Sequence, residues 1–337
     1  MSLNIKVLNS LAFLVLFSVT AYAEMDIESV TIVGSQEDIA GSATVLSNED
    51  LTKMVDTDIH KVLSAVPGVF VRSEEGYGLR PNISIRGTAP DRSSKVTLME
   101  DGVLIAPAPY TSASAYYFPT TGRIHAVEVL KGPSSITQGP STIGGAINMI
   151  STPIPEVTSG SITQEVGSDA LSRTHVTYGV NSGNLGALLE VHENSTDGFD
   201  SIANTSGNGD TGFDKSDILA KLRYTSGMHE LTFKYLELDE SSDQTYVGLT
   251  QSSFNADPRR RYGMTKYDQM NNDGEQTSLA YVGDFDAFTL KVTSWSNDYD
   301  IDWFKVYKAN STKAHGVEDG IDEVIAAANA GDANAQA

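Results

Sequence analysis

The 337-residue chain contains no cysteine. That excludes disulfide staples, thiolate metal sites and a cysteine nucleophile, so the fold must rest on packing or on sheet closure. Cations are scarce as well: 23 Lys and Arg stand against 44 Asp and Glu, a formal net charge of −21. Nucleic acid is disfavoured as a partner, because neutralising phosphates needs clustered positive charge. After the N-terminal stretch, no segment approaches the roughly 20 apolar residues of a spanning helix. A membrane-embedded form of this chain would therefore cross with strands in a closed sheet. Catalytic patterns are wanting too. There is no Gly-x-Ser-x-Gly, and the six histidines are scattered with no pair at metal-binding spacing. Asp197, Asp200, Asp210, Asp214 and Asp217 lack the regular spacing of a calcium loop. Nothing points to an enzyme or to a resident cofactor.

What is present begins with an export signal. Lys6 lies in a short polar start, LAFLVLFSV at 11–19 is a signal-length apolar core, and Ala21-Tyr22-Ala23 places small residues for cleavage before Glu24. Beyond it the charge is uneven: 15 acids and 9 bases over 24–155, but 29 and 13 over 156–337. The shift falls at Pro153-Ile154-Pro155, which predicts a domain boundary there.

The first half mixes helix and strand. Ser47 caps NEDLTKM, with Asp50 at the third helical position approximating a capping box. In DTDIHKVLSAVPG, Ile59, Val62, Leu63 and Val66 fall at helical spacing before Pro67-Gly68 ends the run. VFVRS (69–73), NISIRG (82–87), KVTLMEDGVLI (95–105), HAVEVLKG (125–132) and AINMIS (146–151) read as short strands, and Asp101-Gly102 as a tight hairpin turn. The second half consists of runs of about ten residues alternating with a period of two. Val176, Tyr178 and Val180 share one face; so do Ala187, Leu189 and Val191, then Leu231, Phe233 and Tyr235, then Phe288, Leu290 and Val292. One apolar and one polar face suits either a soluble sandwich or a lipid-facing barrel with a wet lumen. Tyr178, Tyr224, Tyr235, Tyr281, Trp295, Tyr299 and Trp303, near strand ends, favour the barrel as interfacial aromatics.

The stretch VEVLKGPSSITQGPSTIGGAINMIS (127–151) is dense in glycine, yet no Gly-Lys-Ser/Thr follows to make a phosphate loop, and GNGDTG at 207–212 follows no apolar strand. Together with SVTIVG (29–34), NISIRG (82–87) and VTLMEDGV (96–103), it resembles, in order and spacing, the plug of TonB-dependent outer-membrane receptors. PAPYTSASAYYFP (107–119) and DQTYVGLTQSSFNADPRRRYGMTKYDQMNND (243–273) are similar to the ferric-citrate receptor branch of that family.

The resemblance implies a signal peptide over 1–23, a periplasmic tether over 24–40, an α+β plug domain over 41–155 and the N-terminal part of an antiparallel transmembrane β-barrel over 156–337. The family's barrel has about 22 strands, whereas 182 residues suffice for about eight, so the chain reads as truncated. Function is expected to be import of a ferric chelate, citrate-like or another siderophore, across the outer membrane of a Gram-negative bacterium. No enzymatic cofactor is implied, and the partners are TonB, the ferric chelate and outer-membrane lipid. Glu28, Ser29, Val30, Thr31, Ile32 and Val33 match the TonB box, a β-prone segment able to add a strand to a partner's sheet edge. Arg92, Lys95, Tyr110, Tyr116 and Tyr117 at two plug apices, with Arg259, Arg260 and Arg261 in a later loop, are the expected ligand contacts. Arg86 and Lys131 fall where the family pairs plug cations with barrel glutamates, although lysine lacks arginine's two-pronged carboxylate contact. Gly132, Gly139, Gly144 and Gly145 are expected to allow tight backbone packing. A soluble exported binding or adhesion protein, and a receptor of the same family for cobalamin or a glycan, remain open alternatives at this point.

Overall fold

The computed structural model describes residues 41–54, 59–105, 117–203 and 211–306. The expected signal peptide over 1–23, the expected TonB box Glu28–Val33, Tyr110 and Tyr116 lie outside the described residues.

The local signals of the first half form as the sequence predicts. Strand β1 (Ser42–Leu46) leads into helix α1 (Asn48–Met54). Ser47 Oγ accepts from Asp50 N at 3.3 Å while Asp50 Oδ2 accepts from Ser47 N at 3.0 Å, a reciprocal box that satisfies two donors at the helix start. Helix α2 (Ile59–Ser64) buries Ile59, Val62 and Leu63 on its apolar stripe and is followed by Gly68 at φ +81. Strands β2 (Val69–Arg72) and β3 (Asn82–Ile85) pair antiparallel. β4 (Val96–Glu100) turns into β5 (Val103–Leu104) through Asp101 and Gly102, both with positive φ as this tight turn requires.

β6 (Ile124–Lys131) and β7 (Gly145–Ser151) complete a five-stranded sheet in the order β1-β6-β7-β4-β5. Its β4–β7 pairing is parallel, which no local pattern announces. Gly145 (φ +148) lets β7 approach β6 so closely that a Cβ there would strike the Leu130 carbonyl oxygen. The glycine-rich loop thus serves close backbone packing. The core holds Ile59, Leu63, Ile83, Ile85, Leu98, Val127, Val129 and Ile147.

Past residue 155 the chain becomes a seven-stranded antiparallel meander. Its long strands are β8 (Ser159–Val166), β9 (Ser172–Ser182), β10 (Leu185–Thr196), β12 (Phe213–Ser226), β13 (His229–Ser242), β15 (Gln269–Phe285) and β16 (Phe288–Phe304). The two-residue strands β11 (Ser201–Ile202) and β14 (Arg260–Arg261) pair with each other in the connections. Turns at 183–184, 227–228 and 286–287 are short and mark one end of the sheet, while the connections 197–212 and 243–268 are long and mark the other. Alternation sorts the side chains as predicted. Leu185, Leu189, Leu222, Tyr224, Leu231 and Phe233 lie exposed on one face, whereas Glu190, His192, Lys215, Asp217, Lys221, Lys234 and Glu240 are buried on the other. Charge on the buried face and hydrocarbon outside is the inverse of a soluble sandwich.

Trp295, Tyr299 and Trp303 depart from the expected aromatic girdle: they are spaced by even steps on β16, and through β15 their common face is that of Lys234 and Met270 rather than the apolar one. Tyr299 stacks there on Tyr117 of the plug, ring centroids 5.2 Å apart.

Candidate functional site

The buried charges of the sheet meet partners on the first domain. At the centre lie Glu100, the last residue of β4, and Arg123, which closes the 3-10 turn before β6. Arg123 Nη1 and Nη2 donate to Glu100 Oε1 and Oε2 at 2.6 and 3.0 Å, a two-pronged contact in which both side chains are almost fully buried. Lys234 of β13 reaches in from the wall, its Nζ 2.5 Å from Glu100 Oε1 and 2.7 Å from Asp101 Oδ2. Lys221 of β12 donates to the Thr152 carbonyl at 2.9 Å and lies 3.8 Å from Asp101. Asp217 of β12 stands 3.7 Å from Arg123 Nε.

A second cluster repeats the scheme nearer the long connections. Arg80 pairs with Glu240 of β13, which also lies 3.3 Å from Lys215 Nζ, and Lys215 donates to the Phe118 carbonyl at 3.0 Å. Neutral contacts complete the seam: Thr152 Oγ1 donates to Glu190 at 2.9 Å, and Asn297 Nδ2 to the Leu104 carbonyl at 3.2 Å.

Burial pushes the Glu100 carboxyl up, but Arg123 and Lys234 outweigh it and hold the group down at about 2. Asp101 is likewise raised by burial and depressed further by Lys221 and Lys234. Both carboxylates are therefore ionised, and the seam is a set of salt bridges. Buried ion pairs add little net stability because desolvation opposes attraction, yet removing one partner strands a buried charge. Such a seam fixes position: it seats the first domain in one register against the wall.

Arg86 and Lys131 do not belong to this set. Among the described residues neither pairs with a barrel-wall carboxylate. Arg86 is exposed, and Lys131 Nζ turns inward to Thr44 Oγ1 and the Pro67 carbonyl, at 3.1 and 3.0 Å, tying β1 and the end of α2 to β6. The sequence reading misses Glu100, Asp101 and Arg123. They stand beside the hairpin and strand that it does identify, and their charge at the end of an apolar run is the available signal.

The expected ligand contacts divide. Arg92 and the exposed Lys95 lie at the plug apex, and the 3-10 turn Asp91–Ser93 is fixed there by Arg92 N donating to Asn82 Oδ1 at 2.7 Å and Ser93 Oγ donating to the Pro81 carbonyl at 3.0 Å. Arg92 reaches the wall, its Nη2 donating to the Tyr246 hydroxyl at 3.1 Å. Arg259 is exposed and Arg260 half-buried. Tyr117 is buried rather than apical: its hydroxyl accepts from Arg123 Nη2 at 2.8 Å, so it braces the seam. Arg261 is also buried, donating to the Asp243 and Thr265 carbonyls at 2.5 and 3.1 Å, and it scaffolds the long connection instead of facing solvent.

Comparisons with known proteins agree with this arrangement. Residues 35–146 match the family model of the TonB-dependent receptor plug domain. The vitamin B12 transporter BtuB of Photobacterium profundum is 25% identical over 279 residues, covering 79% of this chain and 45% of that protein. BtuB of Vibrio vulnificus is 30% identical over 164 residues, 48% of this chain and 26% of that protein. The chain thus spans less than half the length of these curated relatives. Among solved structures, the unliganded ferric citrate transporter FecA superposes with a TM-score of 0.66 at 23% identity, over 79% of this chain and 41% of FecA. The ferric yersiniabactin uptake receptor FyuA of Yersinia pestis gives 0.67 at 21%, over 80% and 42%. Residues 35–146 therefore match a TonB-dependent receptor plug domain, and the antiparallel strands that follow share the fold of the barrel in the solved receptors.

Proposed function

We propose that the chain belongs to an outer-membrane importer of a ferric chelate, citrate-like or another siderophore, energised from the inner membrane through TonB. The observation that carries this reading is the buried seam of Glu100, Asp101 and Arg123 against Lys234, Lys221 and Asp217. It holds a folded stopper against a wall whose outer face is apolar, and cargo passes such a stopper only if work is done on it. The outer membrane has no nucleotide supply, so the work is delivered mechanically. Glu28–Val33, with its β-prone core Val30-Thr31-Ile32-Val33 ahead of the plug, is the grip for TonB by strand addition.

The cations Arg92, Lys95, Arg259 and Arg260 stand at the end with the long connections, in a chain of net charge −21. A local positive mouth on an acidic protein favours an anionic cargo. A second reading, import of cobalamin, draws support from the two vitamin B12 transporters among the relatives. Iron uptake from labelled ferric citrate by cells carrying the protein separates the readings from each other. Deletion of 28–33 is expected to abolish uptake and leave ligand binding intact; unchanged uptake would refute the tether, and uptake of cobalamin alone would replace the cargo.

A further inference from the structure

On the outward face of the meander, near the short turns, the side chains leave a trench. Register sets Ala187 of β10 between Val180 of β9 and Leu222 of β12, and continues that row to Phe233 of β13 and Leu279 of β15. The next row toward the turns is Ser182, Leu185, Tyr224, Leu231 and Tyr281. Ala187 is the shortest side chain of its row, and a groove of about 390 Å³ opens there, walled by Leu185, Leu222, Tyr224, Leu231 and Phe233. Leu185 and Leu222 are 62% and 59% exposed, so the walls are apolar and uncovered. Gly186 and Arg223 also border the groove, but the Arg223 guanidinium lies on the plug side, where a Gly186 Cβ would meet both it and Ile154.

The groove ends at a polar handle. His229 Nδ1 and the Tyr281 hydroxyl share a hydrogen bond of 2.8 Å, and their rings stack at 6.0 Å and 15°. Gly283, opposite His229, leaves room for this contact, since a Cβ there would strike the Tyr281 hydroxyl. With the hydroxyl donating to Nδ1, the exposed ring carries its proton on Nε2 and offers that N–H at the groove's mouth. Charge differs along the same face. Glu237, Asp239, Asp273, Glu275, Asp298 and Asp300 point outward at the long-connection end, whereas the two rows of the groove hold no carboxylate. An anionic head group is repelled at the first end and accepted at the second.

We propose that this groove seats one acyl chain of a glycerophospholipid, in the leaflet at the short-turn end, with the lipid phosphate at His229 Nε2. The inference rests on the barrel reading of the strands and adds a fixed lipid site to it. An apolar groove left empty forfeits packing contacts along its walls, and one that opens on the hydrocarbon-facing side of a membrane sheet takes hydrocarbon rather than water. A phosphate diester oxygen supplies the acceptor that the imidazole N–H lacks within the chain's own stack. One molecule with a long apolar tail and an anionic head thus matches the trench, the handle and the charge gradient together.

The test is lipid retention by the 337-residue chain in dodecyl maltoside with added dioleoylphosphatidylglycerol, read by native mass spectrometry. A single retained lipid per chain is expected. Ala187→Phe fills the groove and should cut retention about tenfold or more, because each buried methylene contributes a factor of about four. His229→Leu should lower retention about fivefold, as loss of one hydrogen bond does, and His229→Gln, which keeps an N–H, should restore most of it. Val191→Phe, outward on the same strand but away from the groove, should retain the lipid. Equal retention in Ala187→Phe, or an equal loss in Val191→Phe, overturns the site. So does a dimer that Ala187→Phe splits without changing lipid retention, which would put a second copy of the chain in the groove. If Ala187→Phe misfolds by circular dichroism, Ala187→Leu must reduce retention or the groove fails. Membrane partition reports separately: a chain that stays in solution without detergent sinks the barrel reading, and a membrane-bound chain whose retention ignores Ala187→Phe sinks the groove alone.

Discussion

Lys234, on the barrel wall, places its ammonium 2.5 Å from Glu100 Oε1, on the plug, across 134 residues of sequence. Both side chains are almost entirely buried, so the pair is a tight electrostatic stitch between the two parts. Lys234→Met removes the cation and leaves Glu100 and Asp101 facing Arg123 and Lys221 alone. Breaking a buried pair from one side costs about 3–5 kcal/mol. The expected outcome is a plug cleaved faster by protease while the strands stay protected. Equal cleavage rates for the two proteins would show that this contact does not seat the plug.

Acid should loosen the same seam. Glu100 has its folded-state pKa held down, to about 2 from an ordinary 4.5, and Asp101 is depressed as well. A depressed carboxylate contributes stability that is fully present above its unfolded value and is lost as pH falls through the folded one. Plug protection is therefore expected to be flat above about pH 5 and to decline between about pH 4.5 and 2. In Glu100→Gln the decline should be shallower, measured by protease protection against pH; an identical curve would place the acid-sensitive group elsewhere.

Gly145 and Gly139 test the role of the glycine-rich loop. At Gly145 an added Cβ meets the Leu130 carbonyl oxygen, whereas at Gly139 the nearest atoms are Leu104 methyls at 3.8 and 4.0 Å. Both residues have positive φ, so both alanine variants carry backbone strain of order 1 kcal/mol. Gly145→Ala adds overpacking of about 1–3 kcal/mol. Denaturant melts should rank Gly145→Ala well below Gly139→Ala, and equal midpoints would contradict close packing as the loop's purpose.

Tyr117 braces Arg123 with its hydroxyl and Tyr299 with its ring, in place of the ligand contact its sequence position suggests. Tyr117→Phe keeps the stack and removes one acceptor of Arg123, for an expected loss of about 1–2 kcal/mol in plug stability. Chelate affinity, measured by titration, should stay unchanged. A selective loss of affinity with unaltered stability would return Tyr117 to the ligand site.

Short-range features are legible from the residues. The Ser47–Asp50 box, the apolar stripe Ile59-Val62-Leu63 and the Asp101-Gly102 turn each depend on residues a few positions apart, so spacing alone suffices. The faces of β10, β12 and β13 are legible for a similar reason, since a period of two leaves one face apolar whatever it packs against. The seam is not. Glu100, Arg123, Asp217 and Lys234 look in the sequence like ordinary charges near strand ends, and Tyr117, Arg261 and Tyr299 like exposed apex, loop and girdle residues.

A two-part chain with helix caps, hairpin turns and strands of one apolar and one charged face is already written in the order of the residues, because each of these follows from local backbone preference and side-chain period. Long-range packing alone seals Arg123 against Glu100 and Lys234, assigns Lys131 to β1 rather than to the wall, and lays β4 parallel to β7. Those outcomes depend on which distant carboxylate or strand edge desolvates each group, and desolvation is a property of the assembled neighbours.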